Sequence, residues 1–578
     1  GVALVAVQPD RARPAPLAPA LPRVTDAPPT TFSVITPVFE TPVDVLAATI
    51  DSVRAQDHPH WELCLVDDGS TNPKVHRALA RAARRDRRVR VQMRGEQGGI
   101  VAASNDALAM ATGDFVVLLD HDDLLLPRAL SSLASAIASI PQVDYLYSDE
   151  DKVDADGLHS GAFLKPSWSP ERFRTQMYTC HLSAMRRALV EEVGGFDPSF
   201  EGSQDWDLIL RVTERARRVV HIPRILYSWR TLATSTASAS AAKPYAYDAG
   251  TRALQAHCDR TGFAATVERD EAPERSGVYH LEPALSDTPK VSIIVPSGGG
   301  TREVRGRETT LVSHCLGSIK AHSTYPDFEI IVVLDDHVPR ALADELERLA
   351  PDRVRIVMFD RPFSFSEKIN VGALHATGDH LLLLNDDTEV STPNWIERLV
   401  MYSQHPGIGA VGARLLYEDR RLQHVGLASQ DSCVGHIYHG FAPGTPGYAN
   451  NVLVAANYLA VTGACLMTPR AVFEEVGGLS PQFPLNYNDV DYCLKVWRSG
   501  RRVAYDPDTV LFHFESASRE TAVSDAELRR LRDRWDYEIS QDRFYPRNLN
   551  PKSVNFVPPL QLRTGELLGA SSAGVNGP

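Results

Sequence analysis

The chain has 578 residues of ordinary globular composition, 43% hydrophobic and 23% charged. Acidic residues outnumber basic ones, 73 against 60, and the net charge of −13 disfavours a general nucleic-acid binder. The seven cysteines (Cys64, Cys180, Cys258, Cys315, Cys433, Cys465, Cys493) show neither a CxxC pair nor zinc-ligand spacing, which excludes a disulfide-built or zinc-module scaffold. Several lie in apolar runs, as reduced core cysteines of a cytoplasmic protein do. No apolar run approaches the roughly 18 residues of a membrane span. A soluble protein, at most peripherally attached to a membrane, is expected. The segment Gly1–Val7 lacks the flanks of a signal peptide and an initiator Met, so the start reads as truncated.

Residues 1–30, rich in Pro, Ala and Arg from residue 9 onward, read as a linker. From Thr31 short apolar runs alternate with helical patterns, the mark of an α/β fold with a mostly parallel sheet. The run Ser33-Val34-Ile35-Thr36-Pro37 is followed by a helix over 47–55 and by the run Trp61–Val66, which ends in Asp67-Asp68-Gly69-Ser70. A helix over 75–88 carries a basic run that reads as a solvated face. Then comes Asn105, and eight residues later Gly113, in Ala-Thr-Gly-Asp followed by an apolar run. That run ends abruptly in Asp120-His121-Asp122-Asp123. Glu191-Glu192-Val193-Gly194-Gly195-Phe196 and Asp205-Trp206-Asp207 close this first domain, residues 31–235. Residues 236–289, with a helix over 247–261, read as a connector.

The same motifs then return in the same order. Ser292–Pro296 repeats the first strand, Phe328 to Asp335-Asp336 the second, and Asn370 again lies eight residues before a glycine, Gly378. The apolar run after Gly378 ends in Asn385-Asp386-Asp387; Glu474–Leu479 and Asp489-Val490-Asp491 follow. An offset of about 265 residues far exceeds solenoid periods of roughly 20–50, so a whole domain, residues 290–520, is duplicated. Residues 521–578 read as a charged amphipathic helix over 525–538 and a disordered tail.

Carboxylates at the C-terminal ends of parallel strands lie where open α/β sheets bind ligands. Paired acids such as Asp120 and Asp122, or Asp386 and Asp387, can grip a hard divalent cation that bridges a diphosphate. Asp67 and Asp68, and Asp335 and Asp336, can accept hydrogen bonds from a base or ribose, or can serve as turn and cap residues. Asp205 and Asp489 head helical runs, where an acid offsets the helix dipole or deprotonates an attacking hydroxyl. His513, after an apolar run, is a candidate third metal ligand.

With these motifs the chain resembles the inverting family-2 glycosyltransferases of GT-A fold over residues 31–235 and 290–520. The resemblance is carried further by Thr36-Pro37-Val38-Phe39, Gly98-Gly99-Ile100 to Asn105, Tyr147–Lys152, Lys165–Pro170, Pro362–Ser366 and Val461–Cys465. It is similar in particular to bacterial two-domain enzymes that build O-antigen, rhamnan or other surface polysaccharides. The resemblance implies two tandem GT-A domains, nucleotide-diphosphate sugar donors and Mg²⁺ or Mn²⁺. It also implies a glycan or lipid-linked acceptor at the inner face of the cytoplasmic membrane. It implies that Asp122, Asp387 and His513 hold metal, with Asp120 beside them, and that Asp205 and Asp489 are the bases. Donor contacts fall to Pro37, Asp67, Asp68, Asn105 and Asp120, and to Pro296, Asp335, Asp336, Asn370 and Asp386. Three departures stand out: Ser228 where relatives carry His, Asn488 before Asp489 where many carry an acid, and the Ser297–Gly300 run after the second domain's first strand. The expectation is a transferase with two active sites. The alternatives are catalysis by domain 2 alone with domain 1 binding acceptor or acting as a scaffold, a sugar nucleotidyltransferase, and a non-catalytic glycan binder.

Overall fold

A computed structural model describes residues 29–231, 244–430, 433–514, 525–550 and 552–558. The expected linker before residue 29, the start of the connector and the tail after 558 lie outside the described residues.

The first sheet comprises β1 (Phe32–Val38), β2 (Trp61–Asp67), β3 (Val89–Met93), β4 (Phe115–Leu118), β5 (Leu124–Leu125), β6 (Tyr145–Val153), β7 (His159–Phe163), β8 (Ser183–Arg186) and β9 (Val219–Arg230). Its order is β3-β2-β1-β4-β8-β6-β9-β5, with β7 beside β6. β3, β2, β1 and β4 are parallel and β8 runs antiparallel to β4. Strand order reverses at β1, so the ends of β1 and β4 open the crevice where such sheets bind ligands. Helices cover both faces, which explains why β4 is apolar and buried at every position.

Between the two large sheets, a helix (Pro244–Thr261) precedes a hairpin, β10 (Ala265–Arg269) and β11 (Tyr279–Pro283). The second domain contains β12 (Val291–Ser297), β13 (Thr301–Val304), β14 (Arg307–Thr310), β15 (Phe328–Asp335), β16 (Val354–Phe359), β17 (His380–Leu384) and β18 (Thr388–Val390). These are followed by β19 (Ile408–Leu416), β20 (Leu422–His424), β21 (Leu427–Gln430), β22 (Cys433–His436), β23 (Ala456–Asn457), β24 (Cys465–Pro469) and β25 (Arg502–His513). Its main sheet has the order β16-β15-β12-β17-β24-β19-β25-β18, strand for strand the order of the first.

The duplication reaches individual hydrogen bonds. Ser33 Oγ donates to Glu62 at 2.7 Å and accepts the Gly113 N–H at 2.8 Å. Ser292 donates to Glu329 at 2.7 Å and accepts from Gly378 at 2.8 Å. A Cβ at Gly113 would lie 2.7 Å from Ser33 N, and one at Gly378 2.6 Å from Lys290 O. The Ala-Thr-Gly-Asp motif is therefore a staple that starts the central strand, and its glycine is required by close backbone approach.

The connector touches both domains. Its Tyr279 packs edge-on against Trp206 with ring centroids 5.2 Å apart, while His280 bonds Asp508 at 3.0 Å and Glu282 pairs with Arg398 at 2.7 Å. The domains also meet directly through Arg502–Glu171 at 2.9 Å and Ser169–Asn457 at 2.9 Å. The C-terminal helix Asp525–Ser540 buries Leu531, Trp535 and Ile539 in the core of the second domain. Its Trp535 donates to Asp491 at 2.8 Å.

Candidate active sites

In the second domain Asp387 lies three residues past the end of the central strand β17, and His513 ends β25 opposite Thr388. The two side chains meet, His513 Nε2 to Asp387 Oδ1, at 2.9 Å. Gln423 Oε1 lies 2.6 Å from His513 Nδ1 and, as an acceptor, fixes the proton there. The lone-pair nitrogen Nε2 then faces the Asp387 carboxylate and the Asn385 side-chain amide, which can donate to it at 3.2 Å. One imidazole and one carboxylate suit Mn²⁺ or Mg²⁺ and leave further positions for phosphate oxygens and water. Asp386 accepts from Ser297 Oγ at 2.6 Å, which ties the acidic loop to the end of β12, one residue after Pro296.

Asp489 begins the helix Asn488–Arg498. Its Oδ2 accepts the Gly463 N–H at 3.0 Å and its Oδ1 the Val490 N–H at 2.8 Å. Burial nevertheless raises its pKa above the ordinary carboxylate value. A raised pKa suits a general base.

The first domain brings Pro37, Asp120, His181 and Asp205 around a cavity of about 90 Å³. Asp205 and His181 also line a neighbouring cavity of about 440 Å³, walled by Trp206, Trp229, Tyr247 and Tyr279. Asp205 accepts the Trp206 N–H at 2.8 Å; burial raises its pKa, opposed by the nearby His181. Burial likewise raises Asp122. Behind them, Asp123 accepts from Tyr227 Oη and the Arg230 N–H, each at 2.7 Å, and burial with the Asp120 charge pushes it up to about 8. Among the described residues, no three His, Cys, Asp or Glu side chains are drawn together as a metal-holding group.

Several expected contacts belong to the fold. Asn105 donates to Phe196 O and accepts the Phe196 N–H, both at 2.9 Å; Asn370 does the same with Leu479 at 2.7 and 2.9 Å. Both amides thus clamp the Gly-Gly turn. Asp68 accepts the Gly98 and Gly99 N–H groups at 2.9 Å each and pairs with Arg94 at 3.0 Å. Asp67 accepts the Ser70 N–H at 3.1 Å, while its buried Oδ1 has no hydrogen-bond partner.

Strand register corrects two correspondences. Trp61 pairs with Phe32 as Phe328 pairs with Val291, so Asp68 matches Asp335, Asp67 matches Leu334, and Asp336 lies one residue beyond, exposed. Similarly, Leu124 pairs with Ser228 whereas Thr388 pairs with His513, so the counterpart of His513 is Trp229 rather than Ser228. Ser228 is buried and donates to Asp151. The second acids of the late motifs, Asp207 and Asp491, are fully buried structural anions, paired with Arg211 and Arg534. Sequence reasoning missed Gln423 and His181, and also the buried Lys368, which pairs with Asp335 at 2.6 Å. None of the three sits in a motif with its own spacing signal.

The family model described as Glycosyl transferase family 2 matches residues 33–194, and that described as Glycosyltransferase like family 2 matches residues 289–538. The chain belongs to glycosyltransferase family 2, with two tandem GT-A domains. It is 38% identical to an uncharacterized protein, y4gI, of Sinorhizobium fredii, over 91% of this chain and 58% of that one. It is 36% identical to the O-antigen biosynthesis protein RfbC of Myxococcus xanthus, over 86% of this chain and 38% of that one. The chain therefore spans about half the length of these relatives. A solved structure, S. aureus TarS residues 1–349 in complex with UDP-GlcNAc, overlays 39% of this chain and 66% of that one at 22% identity and a TM-score of 0.33. No helix among the described residues is long and apolar enough to cross a membrane.

Proposed function

We propose that the protein transfers sugars from nucleotide-diphosphate donors to a growing bacterial surface glycan, with inversion at the anomeric carbon, at two active sites within residues 31–235 and 290–520. Support comes from the family-2 domains and from the relative that carries O-antigen biosynthesis in its name. The observation that carries the reading is the Asp387–His513 pair at the end of the central strand, in the same domain as the buried, pKa-raised Asp489.

Asp387 and His513 would hold a Mg²⁺ or Mn²⁺ ion, which when bound neutralises the charge of the leaving diphosphate. Gln423 keeps the His513 proton on Nδ1. Asp489 takes the proton of the acceptor hydroxyl as that oxygen attacks the anomeric carbon and the nucleoside diphosphate departs. In domain 1 Asp122 and Asp205 take the corresponding roles. Pro37 and Asp120 border the small cavity that Asp205 also lines and would contact the donor there. The acceptor is a glycan or lipid-linked oligosaccharide.

The test is a panel of UDP-, GDP- and dTDP-sugars, assayed for release of nucleoside diphosphate with and without EDTA. Metal-dependent release from at least one donor is expected. Release that EDTA leaves untouched would refute the metal role. A panel without any release, with the fold intact, would count against transfer itself.

A further inference from the structure

The loop 461–464, between β23 and β24, flanks Asp489. The Gly463 N–H donates to Asp489 Oδ2 at 3.0 Å, and the Thr462 hydroxyl bonds the same carboxylate. Thr462 Oγ1 also accepts the Ala464 N–H at 3.3 Å, which leaves its own proton for Asp489. The aim of this carboxylate therefore depends on where the loop sits. A pair of histidines without a role in the mechanism above anchors it.

His424 ends β20 and is fully buried; His436 ends β22. Their Nδ1 atoms lie 3.0 Å apart, and His424 Nε2 lies 3.3 Å from the Thr462 backbone nitrogen. A backbone N–H can only donate, so His424 Nε2 accepts and the His424 proton sits on Nδ1. That Nδ1–H donates to His436 Nδ1, and the His436 proton is on Nε2. Burial keeps both rings neutral, pushing His436 down to about 4 and His424 well below the ordinary imidazole value. One neutral tautomer of each ring satisfies both contacts, and the His424 imidazole bridges β22 and the loop.

The first domain braces the same loop with different chemistry. Register across β4–β8 pairs Phe115 with Arg186, and register across β17–β24 pairs His380 with Pro469. Carried along the strands, this places Thr179 where the second domain has Thr462. There the buried Lys165 donates to the Thr179 carbonyl at 2.6 Å and to the His181 carbonyl, while Glu150 accepts the His181 N–H at 3.0 Å. An ion pair holds the loop in one domain and a histidine pair holds it in the other. What the two domains share is the placement of the loop, not the residues that achieve it.

We propose that His424, seated by His436, is a positioning residue of the second active site, holding the Thr462-Gly463 loop so that its two hydrogen bonds aim the Asp489 carboxylate at the acceptor hydroxyl. The inference rests on the transferase reading above.

The test is release of nucleoside diphosphate from UDP-, GDP- and dTDP-sugars by the full chain carrying Asp205→Asn, with folding checked by thermal melts. His424→Leu leaves the Thr462 N–H without its acceptor; kcat should fall by about 10–10²-fold, the order expected of a misplaced catalytic group, with donor KM unchanged. His424→Gln, which keeps one acceptor and one donor, should recover most of that loss. The decisive comparison adds His424→Leu to Asp489→Asn, because a residue that acts through the base costs nothing further once the base is gone. If His424→Leu does not fold, His436→Leu, at the less buried end of the pair, takes its place in that comparison. An equal second loss in the Asp489→Asn background assigns the pair to general stability and overturns the proposal. A fully active His424→Leu beside an impaired Asp489→Asn overturns this proposal alone. A parent without release, or Asp489→Asn with full release, overturns the base assignment and this proposal with it.

Discussion

Arg502→Met probes what holds the two domains together. Glu171 is 0% exposed and is paired with Arg502 at 2.9 Å and Arg174 at 3.1 Å. Burial alone would raise its pKa, but the two guanidinium groups overcome this and hold it at about 2. Removing Arg502 leaves the carboxylate in the same dry position with one cation. Breaking a buried pair from one side costs about 3–5 kcal/mol, and the remaining Arg174 places this case near 3. At roughly 2–4 °C per kcal/mol for domains of this size, the transition that separates the domains should fall by about 6–12 °C. Glu171→Gln/Arg502→Met should lose less than the single variant, because no stranded charge remains. The pH dependence has a definite sign. An unfolded Glu titrates near 4.3, roughly two units above the folded group, so the stabilisation is complete above about pH 5 and is lost as pH falls toward 2. The gap between wild type and Arg502→Met should therefore narrow in acid. Scanning calorimetry at pH 7 and pH 3 measures both effects. A single variant within about 2 °C of wild type at pH 7, or a double variant as unstable as the single, would refute this account of the interface.

Gly378→Ala forces a Cβ to 2.6 Å from the Lys290 carbonyl. It should destabilise the second domain by several kcal/mol, on the order of a strained buried substitution, visible in urea melts. Asn370→Ala should lower stability by about 1–3 kcal/mol through the lost turn clamp, with donor KM unchanged; a raised KM at unchanged stability would restore its donor role. Because burial raises the pKa of Asp489, and a base must be ionised to act, second-domain kcat/KM should fall as pH drops through a value above that of an ordinary Asp. A rate that stays flat down to pH 4 would exclude Asp489 as the base.

The duplicated motifs made the fold legible, because apolar strands that end in acids have a periodicity of their own. The same motifs misled where a strand-end match could slide by one residue. Asp335-Asp336 reads naturally as a copy of Asp67-Asp68, yet the ladder aligns Asp68 with Asp335. A one-residue slip likewise pointed to Ser228 instead of Trp229. Asn105 and Asn370 recur at fixed spacing, and in the fold each clamps the Gly-Gly turn of its own domain. Gln423 and His181 come from elements distant in sequence, and only tertiary packing brings them to the acids.

The central claim is that Asp387 and Asp489 perform metal-dependent transfer in the second domain. The most direct measurement is turnover of an accepted nucleotide-sugar by the full chain with Asp205→Asn silencing the first domain. Adding Asp489→Asn should cut the remaining rate by about 10²–10⁴, and adding Asp387→Ala should abolish both turnover and its dependence on Mn²⁺. Full turnover in either combination, with the fold intact, would contradict the account.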